Sequence, residues 1–266
     1  MARETTRPGE AAHPSAPTVA KLRLRYAKRG RARFSSHRDI ARTMEWTLRR
    51  AGVPVALSHG FSPHPRLSWI GAAPTGAASE AEYLEIGVTE HLDPGAVARE
   101  VDAVLPEGLA VVEVVVAGPG SLADRIDASR WDIETPEVGD DVLAPAVEAL
   151  LAAPEVVVER LTKNGPRPLD VRASLADLHV GATRTAASDG HDRERRAQPV
   201  VCGRLTAVVR HTTPAARPDD VLSALRTVAG CEFPVPARAT RRAQGRLDER
   251  GELGDPLAAD RAVPTV

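Results

Sequence analysis

The sequence predicts an α+β protein made of two ferredoxin-like (split βαβ) units in tandem, with disordered termini. Stretches in which apolar and polar residues alternate, as in half-buried strands, are separated by stretches with apolar residues every three or four positions, as in amphipathic helices. Residues 20–118 follow the order strand, helix, strand, strand, helix, strand, with one extra extended piece, which is the split βαβ pattern. Residues 119–236 repeat this plan more loosely, so we expect a second unit there.

The strands of the first unit are predicted from alternation and from apolar runs. Residues 22–26 alternate cleanly, and residues 109–116 are almost entirely apolar. An uninterrupted apolar run is typical of a strand covered on both faces, so we expect residues 109–116 to lie centrally in the sheet. Further strands are expected at residues 53–57, 66–70 and 81–88.

Two helices are predicted in the first unit from a capping residue followed by apolar positions at helical spacing. Ser35 or Ser36 can cap a helix that runs to about residue 51, where Gly52 ends it. Asp93 can cap a second helix that runs to about residue 105. The apolar faces of the two helices are formed by Ile40, Met44, Leu48 and Ala51, and by Val97, Val101 and Leu105.

The second unit contains weaker versions of the same signals. Asn164-Gly165 is a typical turn between the two strands of a hairpin. The expected elements are strands at residues 131–135, 156–161, 169–178 and 205–211, and helices at residues 141–151 and 218–228. Residues 181–198 are polar and Arg-rich, and we expect a long mobile loop. Residues 1–19 and 237–266 lack periodicity and carry many charges and prolines, so we expect a disordered lead-in and a disordered tail.

The charges are distributed unevenly, although the net charge is only −1. Residues 21–66 contain twelve Lys or Arg and two Asp or Glu, whereas residues 75–160 contain four Lys or Arg and nineteen Asp or Glu. A basic face suits a polyanion, of which nucleic acid is the commonest. The alternative is that these charges form only a solvated surface.

The cysteine content limits the possible metal and cofactor sites. Cys202 and Cys231 are far apart in sequence and have no other Cys at ligand spacing, which excludes a self-contained iron–sulfur or four-Cys zinc site. We therefore expect no cofactor. A disulfide between the two cysteines is possible, but reduced thiols are favoured because the sequence shows no export signal. The N-terminal segment lacks the apolar core of a signal peptide, and no run of 18 apolar residues occurs, so we expect a cytoplasmic protein that does not enter a membrane.

Cationic and hydroxyl-bearing residues of the basic segment are candidates for nucleic-acid binding. Arg29, Arg31 and Arg33 alternate with other residues and would share one side of an extended segment. Phe61 is either a base-stacking platform or a core residue, and the core is favoured because aromatics make up only 3 % of the chain. The full candidate set is Arg29, Arg31, Arg33, Ser36, His37, Arg38, Arg49, Arg50, His59, Phe61, His64, Lys163 and Arg172.

The candidates in the second unit belong to the predicted hairpin. Lys163 and Arg167 lie at its tip, and Arg172 is expected on its return strand. Asp170 precedes Arg172 by two positions, so the two side chains would share one face of that strand and form an exposed pair. Lys163 also fits an ordinary turn residue.

Three histidines are candidates for acid–base chemistry on RNA. His59 and His64 flank a loop stiffened by prolines, and His37 begins the predicted first helix. His37 fits equally well a capping or buried hydrogen-bonded role. The three imidazoles could also hold a metal ion, but no accompanying carboxylate spacing supports this, and we expect no metal. Glu82 is a further candidate, although a solvated role at a strand edge is favoured.

Five motifs, taken in order and spacing, resemble the radical SAM-linked family. They lie at residues 36–39 (Ser-His-Arg-Asp), 49–54, 60–65 (Gly-Phe-Ser-Pro-His-Pro), 75–80 and 160–172. Two positions depart from the family pattern: Arg38 replaces an aliphatic residue and Ser62 replaces Asn. Members carry a domain of unknown function that is fused to, or encoded beside, a radical SAM enzyme. The resemblance therefore implies an accessory role, with a separate partner that supplies the cluster-binding cysteines.

The expected function combines the resemblance with the basic segment. We expect a non-catalytic accessory protein that binds RNA through its basic face and works with a separately encoded radical SAM enzyme. One alternative is a His-dependent enzyme that processes or modifies RNA. Another is a protein-interaction scaffold whose acidic half is the contact surface.

Overall fold

The structure is a computed structural model that describes residues 16–59, 61–162, 165–186 and 200–263. The strands are β1 Ala20–Lys28, β2 Leu67–Ile70, β3 Ala78–Val88, β4 Leu109–Val116, β5 Ala128–Pro136, β6 Val157–Thr162, β7 Gly165–Asp170, β8 Leu175–Ala186, β9 Val200–Arg210 and β10 Arg238–Gly245. The helices are α1 His37–Arg50, α2 Pro94–Asp102, α3 Asp140–Ala152, α4 Val171–Ser174 and α5 Pro218–Ala229. Among the described residues, no helix has the length and apolar character needed to cross a membrane.

One large sheet runs through the molecule and is mostly antiparallel. Its order is β4-β1-β3-β10-β5-β9-β8, and β2 pairs with one end of β3. The pairing of β10 with β3 is parallel, whereas the other neighbours in this sheet are antiparallel. Strands β6 and β7 form a separate two-stranded hairpin. The predicted α+β class is therefore confirmed, and the division into two ferredoxin-like units stays a prediction.

The strongest local signals of the sequence correspond to elements of the structure. Helix α1 begins after the N-cap Ser36, and α2 begins after the N-cap Asp93, as expected. Helix α2 ends at Asp102, slightly earlier than predicted. The predicted hairpin is present as β6 and β7, but its return strand, expected at residues 169–178, instead spans Gly165–Asp170. Residues 171–174 form α4, and residues 175–178 belong to β8 of the large sheet.

The prediction of a disordered tail is wrong. Strand β10 lies between β3 and β5, in the interior of the sheet, and the boundary predicted at residue 236 would remove it from the second half. Its buried positions include Arg241 and Gln244, so it lacks the apolar alternation that marks a strand. Residues 181–186 of the predicted loop belong to β8, and residues 187–198 lie outside the described residues, as do residues 1–15 of the predicted lead-in.

Two further strand predictions are wrong. Strand β4 forms the end of the sheet rather than its centre, and its Val112 is 45 % exposed. An apolar run indicates burial on average but does not fix the position of a strand within the sheet. The strand expected at residues 53–57 is reduced to isolated bridges at Val55 and Leu57. Pro54 lies within that segment and lacks the N–H group that a continuous ladder requires.

Each half of the chain contributes its own hydrophobic core. In the first half, α1 and α2 pack their apolar faces against leucines of β1 and β3, including Leu22, Leu24 and Leu84. In the second half, α3 and α5 contribute to a larger core around Trp131 and Leu205. A third, smaller cluster joins β3 and β4 to residues 122–126 and to Leu257 of the C-terminal segment.

A buried ionic clamp fastens the C-terminal segment to the first half. Asp260 and Arg23 are each only 1 % exposed, and Arg23 Nη1 donates to both Asp260 oxygens at 2.8 and 2.9 Å. Arg125 Nη1 donates to Asp260 Oδ2 at 2.8 Å, and the Gly118 amide donates to Oδ1 at 2.9 Å. Arg23 Nε also donates to Glu85 at 3.0 Å. These donors compensate the negative charge of the Asp260 carboxylate, which is buried out of contact with water.

Replacing Asp260 by Asn should strongly destabilise the fold. The change keeps the side-chain shape but leaves the Arg23 guanidinium with less compensating charge, and breaking a buried pair typically costs about 3–5 kcal/mol. Equilibrium unfolding in urea measures the free energy of unfolding. The matched control is Glu252→Gln, because Glu252 is a 71 % exposed partner of Arg130. Exposed pairs contribute only about 0.2–1 kcal/mol, so equal losses in the two variants would contradict the clamp.

The clamp should also weaken in acid. Burial acts to raise the pKa of Asp260, but hydrogen bonds from Arg23, Gly118 and Arg125 outweigh it and hold the pKa below its ordinary value. A lowered pKa stabilises the fold at pH values above the unfolded pKa of about 4, and this contribution is lost as the pH falls through the folded pKa. The stability difference between the wild type and Asp260→Asn should therefore stay constant near neutral pH and shrink in acid. Unfolding measured across pH would contradict this if the difference persisted at the acid end.

Candidate nucleic-acid interface

The solvent-facing side of α1 carries a stripe of cations around one tryptophan. We call it the α1 stripe, and it consists of the exposed residues Arg38, Arg42, Trp46, Arg49 and Arg50. At 3.6 residues per turn, these positions span about a third of the helix circumference. The opposite side of the helix carries the buried residues Ile40, Met44, Thr47 and Leu48. One face thus anchors the helix, and the other presents guanidinium groups to solvent.

The start of α1 is fixed by a reciprocal capping box. Ser36 Oγ accepts a hydrogen bond from the Asp39 amide at 3.2 Å, while Asp39 Oδ2 accepts from the Ser36 hydroxyl at 2.6 Å and from its amide at 3.2 Å. Hydrogen bonds from the Ser36 hydroxyl and, to a smaller extent, from the Ser36 amide lower the pKa of Asp39, so this carboxylate is ionised. Ser36 and Asp39 therefore hold the helix that presents the α1 stripe.

The arginines that precede α1 are placed differently from the prediction. Residues Gly30–Phe34 form a 3-10 helix rather than an extended segment, so the three guanidiniums do not share one side as expected. Arg29 pairs with Glu80, with an Nε–Oε1 distance of 2.8 Å. Arg33 donates to the Gly76 carbonyl at 2.7 Å and to the Ala239 carbonyl at 3.2 Å. Arg31 is exposed, while Arg29 and Arg33 stabilise the fold.

In the described part of the chain, the arginines of the α1 stripe, unlike Arg29 and Arg33, are not paired with other groups that stabilise the fold. Within the part of the chain that the structure describes, Arg38, Arg42, Arg49 and Arg50 form no ion pair. Arg50 instead lies over the Trp46 ring, 5.2 Å from its centroid. These guanidiniums can therefore bind an anion without first breaking an ion pair.

Three aromatic rings of the basic segment are exposed to solvent. Phe34 is 68 % exposed, Trp46 is 52 % exposed and Phe61 is 92 % exposed. Arg33 lies 5.8 Å from the Phe34 centroid, so two of the three rings have an arginine beside them. The prediction that Phe61 is a core residue is wrong. Exposed rings next to cations are the arrangement with which proteins stack nucleic-acid bases.

The three candidate histidines occupy separate environments. His37 is exposed and meets the Trp69 ring edge-on, with centroids 5.5 Å apart. His59 Nδ1 lies 3.3 Å from Arg66 Nη2. His64 is exposed, and its amide rather than its ring is bound to the loop. Among the described residues, no group of three or more His, Cys, Asp or Glu side chains is placed to hold a metal ion, and His37, His59 and His64 do not form such a group.

The hairpin candidates are placed differently from the prediction. Lys163 lies outside the described residues. Arg172 is in α4 rather than on a strand, and its Nε donates to the Leu151 carbonyl at 3.2 Å. Asp170 does not pair with Arg172. It caps α4, because its side chain accepts from the Ala173 amide at 3.3 Å.

A buried polar cluster lies where the two halves meet, and sequence reasoning missed its arrangement. We call it the seam, and it consists of Lys28, Ser79, Glu82 and Arg241, each 3 % exposed or less. Glu82 pairs with Arg241, and its Oε2 accepts from the Ala73 amide at 3.1 Å. The prediction of a solvated Glu82 is therefore wrong. Arg241 Nε also donates to Ser79 Oγ at 3.2 Å. Lys28 Nζ donates to the Ala73 and Pro74 carbonyls, each at 3.4 Å. Burial is the main cause of the lowered pKa of Lys28.

A hollow of about 460 Å³ opens beside the seam. Its walls come from both halves, including Gly71, Ala72, Pro74, Trp131, Arg160 and residues 214–217. His211 and Ser129 also line it, and His211 Nε2 lies 2.7 Å from Ser129 Oγ. These residues are so far apart in sequence that no local motif could have indicated them.

Comparison with known proteins identifies a family for the chain but adds no activity. A search of curated proteins finds no match. The sequence model of a family described as "Uncharacterized protein conserved in bacteria (DUF2344)" matches residues 21–218. Because the match covers most of the chain, the protein belongs to this family of uncharacterized bacterial proteins.

Proposed function

We propose that this protein is a non-catalytic accessory protein that binds single-stranded RNA and works beside a separately encoded radical SAM enzyme. The RNA-binding surface in this proposal is the α1 stripe together with the exposed rings of Phe34 and Phe61. The observation that carries the proposal is the set of four unpaired arginines around Trp46. Other arginines from the same basic segment, Arg29 and Arg33, are already bound to protein groups.

Electrostatics support a polyanion as the ligand. Phosphate contacts supply most of the affinity in sequence-independent nucleic-acid binding, through release of the counterions that the phosphates hold. Successive side chains at Arg38, Arg42, Trp46 and Arg50 are four residues apart, which corresponds to about 6 Å along the helix. The cations therefore form a row, as an extended phosphate backbone requires, instead of a single point of charge.

The exposed rings favour a single strand over a duplex. In a duplex the base faces are stacked on one another, whereas in a single strand they are free to stack on aromatic side chains. Such stacking contributes about 1–3 kcal/mol per base and tolerates any sequence. Phe34, Trp46 and Phe61 each offer a large apolar ring to such a base.

We infer that each half is a ferredoxin-like unit, which is a more specific fold within the α+β class. The order β4-β1-β3-β2 in the first half and β10-β5-β9-β8 in the second half supports this inference. In both, the fourth strand lies outermost beside the first, and the third lies between the first and the second, with antiparallel neighbours. In this interpretation the hairpin β6–β7 and α4 are an insertion in the second unit.

The association with a radical SAM enzyme is inferred from the five sequence motifs. Cys202 and Cys231 are both free, and burial is the main cause of the raised pKa of each thiol. Two cysteines are fewer than the ligands of a cluster site, so in this proposal the partner supplies the cluster ligands. Free thiols are also consistent with our inference of a cytoplasmic location.

Replacing Arg38, Arg42, Arg49 and Arg50 by Ala should weaken RNA binding and its dependence on salt. For a single strand, log Kobs falls with log salt concentration with a slope of about 0.7 per phosphate contact, so four lost contacts would reduce the slope by up to about 2.8. Fluorescence anisotropy with a labelled, unstructured RNA at several salt concentrations measures this slope. The charge-matched control replaces the exposed Arg99, Arg210, Arg246 and Arg250, and it should bind as the wild type does.

A second variant in the same titration separates stacking from charge. Trp46→Ala should reduce affinity by about 1–3 kcal/mol at every salt concentration, with an unchanged slope. Equal weakening by the α1-stripe variant and its charge-matched control would contradict the proposed interface. RNA cleavage during the titration that His37→Ala abolishes would instead favour the enzymatic alternative.

The protein should associate directly with the radical SAM enzyme encoded beside it. Co-expression, nuclease treatment and size-exclusion chromatography test this, and the expected result is a complex that persists after RNA has been removed. A complex that disappears with the RNA would show bridging by nucleic acid. Separate elution without nuclease treatment would also contradict the proposed partner, whereas a persistent complex formed by a protein that does not bind RNA would favour the scaffold alternative.

A further inference from the structure

We propose that the hollow beside the seam binds a phosphate monoester, the group shared by a free nucleoside monophosphate and a phosphorylated RNA end. This site is distinct from the α1 stripe, and the proposal does not depend on RNA binding there. Its volume of about 460 Å³ lies within the range of about 300–1,000 Å³ that is typical of small-molecule sites. It also lies between two structural units, where such sites are common.

The charges around the hollow indicate an anionic ligand. Among the described residues, Arg160, Arg217 and Arg241 line it, and no Asp or Glu does. The carboxylates that pair with two of these arginines, Asp220 and Glu82, lie outside the lining. An anion in the hollow would therefore meet guanidinium groups directly and would not face a carboxylate.

Two of the arginines are held rigidly by these pairs. Arg160 Nε donates to Asp220 at 3.0 Å, and Arg160 Nη2 bonds both Asp220 and the Ala215 carbonyl. Arg241 uses Nε for Ser79 and Nη2 for Glu82. Each guanidinium therefore keeps its Nη1 group without a hydrogen-bond partner among the described residues. Donors that are fixed in advance bind an anion at a smaller entropic cost than mobile side chains.

Further polar groups make phosphate a better fit than a carboxylate. Ser129 is 1 % exposed and its hydroxyl meets His211, which also lines the hollow. Partial desolvation and the nearby Arg241 lower the pKa of His211 against the opposing effect of Asp127, so its neutral ring can exchange a hydrogen bond instead of adding a fixed charge. With three guanidiniums, a hydroxyl and an imidazole, the hollow offers more groups than the two oxygens of a carboxylate can use. A phosphate monoester has three terminal oxygens.

The remaining wall favours a ligand with an apolar or aromatic body. Trp131, Val209 and Pro214 provide apolar surface, and the guanidinium of Arg241 lies over the Trp131 ring at 5.4 Å. A nucleotide combines a flat base with a phosphate, and it matches this division into an apolar wall and a cationic wall. The same chemistry is found at the end of a phosphorylated RNA strand.

Titration calorimetry of the full chain with adenosine monophosphate tests the site. We expect saturable binding, with adenosine binding at least about tenfold more weakly because it lacks the charged group. Arg217→Ala should weaken binding of the monophosphate at least about tenfold, as for loss of one charge-assisted hydrogen bond. Arg217 is exposed, so its replacement should leave the fold intact. The control is Arg210→Ala, an exposed arginine that does not line the hollow.

A second pair of ligands distinguishes the two sources of the phosphate. Short RNAs with and without a terminal phosphate are titrated into the α1-stripe variant, in which the proposed RNA surface is absent. Preference for the phosphorylated end that Arg217→Ala removes would assign an RNA terminus to the hollow, and binding of the monophosphate alone would assign a free nucleotide. The proposal is overturned if neither ligand binds saturably, or if Arg217→Ala leaves both unchanged. Retained monophosphate binding by the α1-stripe variant keeps this result separate from the RNA proposal.

Discussion

The ion pair between Arg241 and Glu82 is the interaction on which the junction of the two halves depends. Within the described ranges, direct strand pairing across this junction covers only Thr240 with Ala78 and Arg241 with Ser79. Both charged side chains are 3 % exposed, and loss of either would leave the other buried without a counter-charge. The buried guanidinium of Arg241 is stabilised in this short ladder because β3 supplies the Glu82 carboxylate and the Ser79 hydroxyl beside it.

Composition alone cannot separate the arginines that hold this fold together from those that are available to a ligand. Arg23, Arg33 and Arg241 point inward, where they bind carboxylates or carbonyl groups and connect segments distant in sequence. The α1 stripe points outward, and its arginines lack ion-pair partners within the described residues. Arg29 and Arg42 belong to the same basic segment, yet only the second is available to a ligand. A basic segment is therefore evidence for an interface only through those cations that are not already paired with other groups of the protein.

Local signals were sufficient for α1 but not for β10, and the difference has a physical cause. Helix α1 is specified by its own capping box and by apolar residues at helical spacing, all within its own sequence. Strand β10 buries Arg241 and Gln244, whose partners lie on β3. Its stability is contributed by contacts across more than a hundred and fifty residues of chain, and no local pattern reveals them. The residues around the hollow were missed for the same reason, because only the folded sheet brings them together.

The two candidate sites are connected through a single side chain. Arg33 follows Arg31 in the 3-10 helix that leads into α1, and its guanidinium donates to Ala239 of β10. Ala239 lies two positions before Arg241, which lines the hollow. Because Phe34 directly follows Arg33, a base stacked on that ring would rest on a segment already bound to the central strand. The segment that carries Phe34 and the strand that carries Arg241 are thus joined by the hydrogen bond from Arg33 to Ala239.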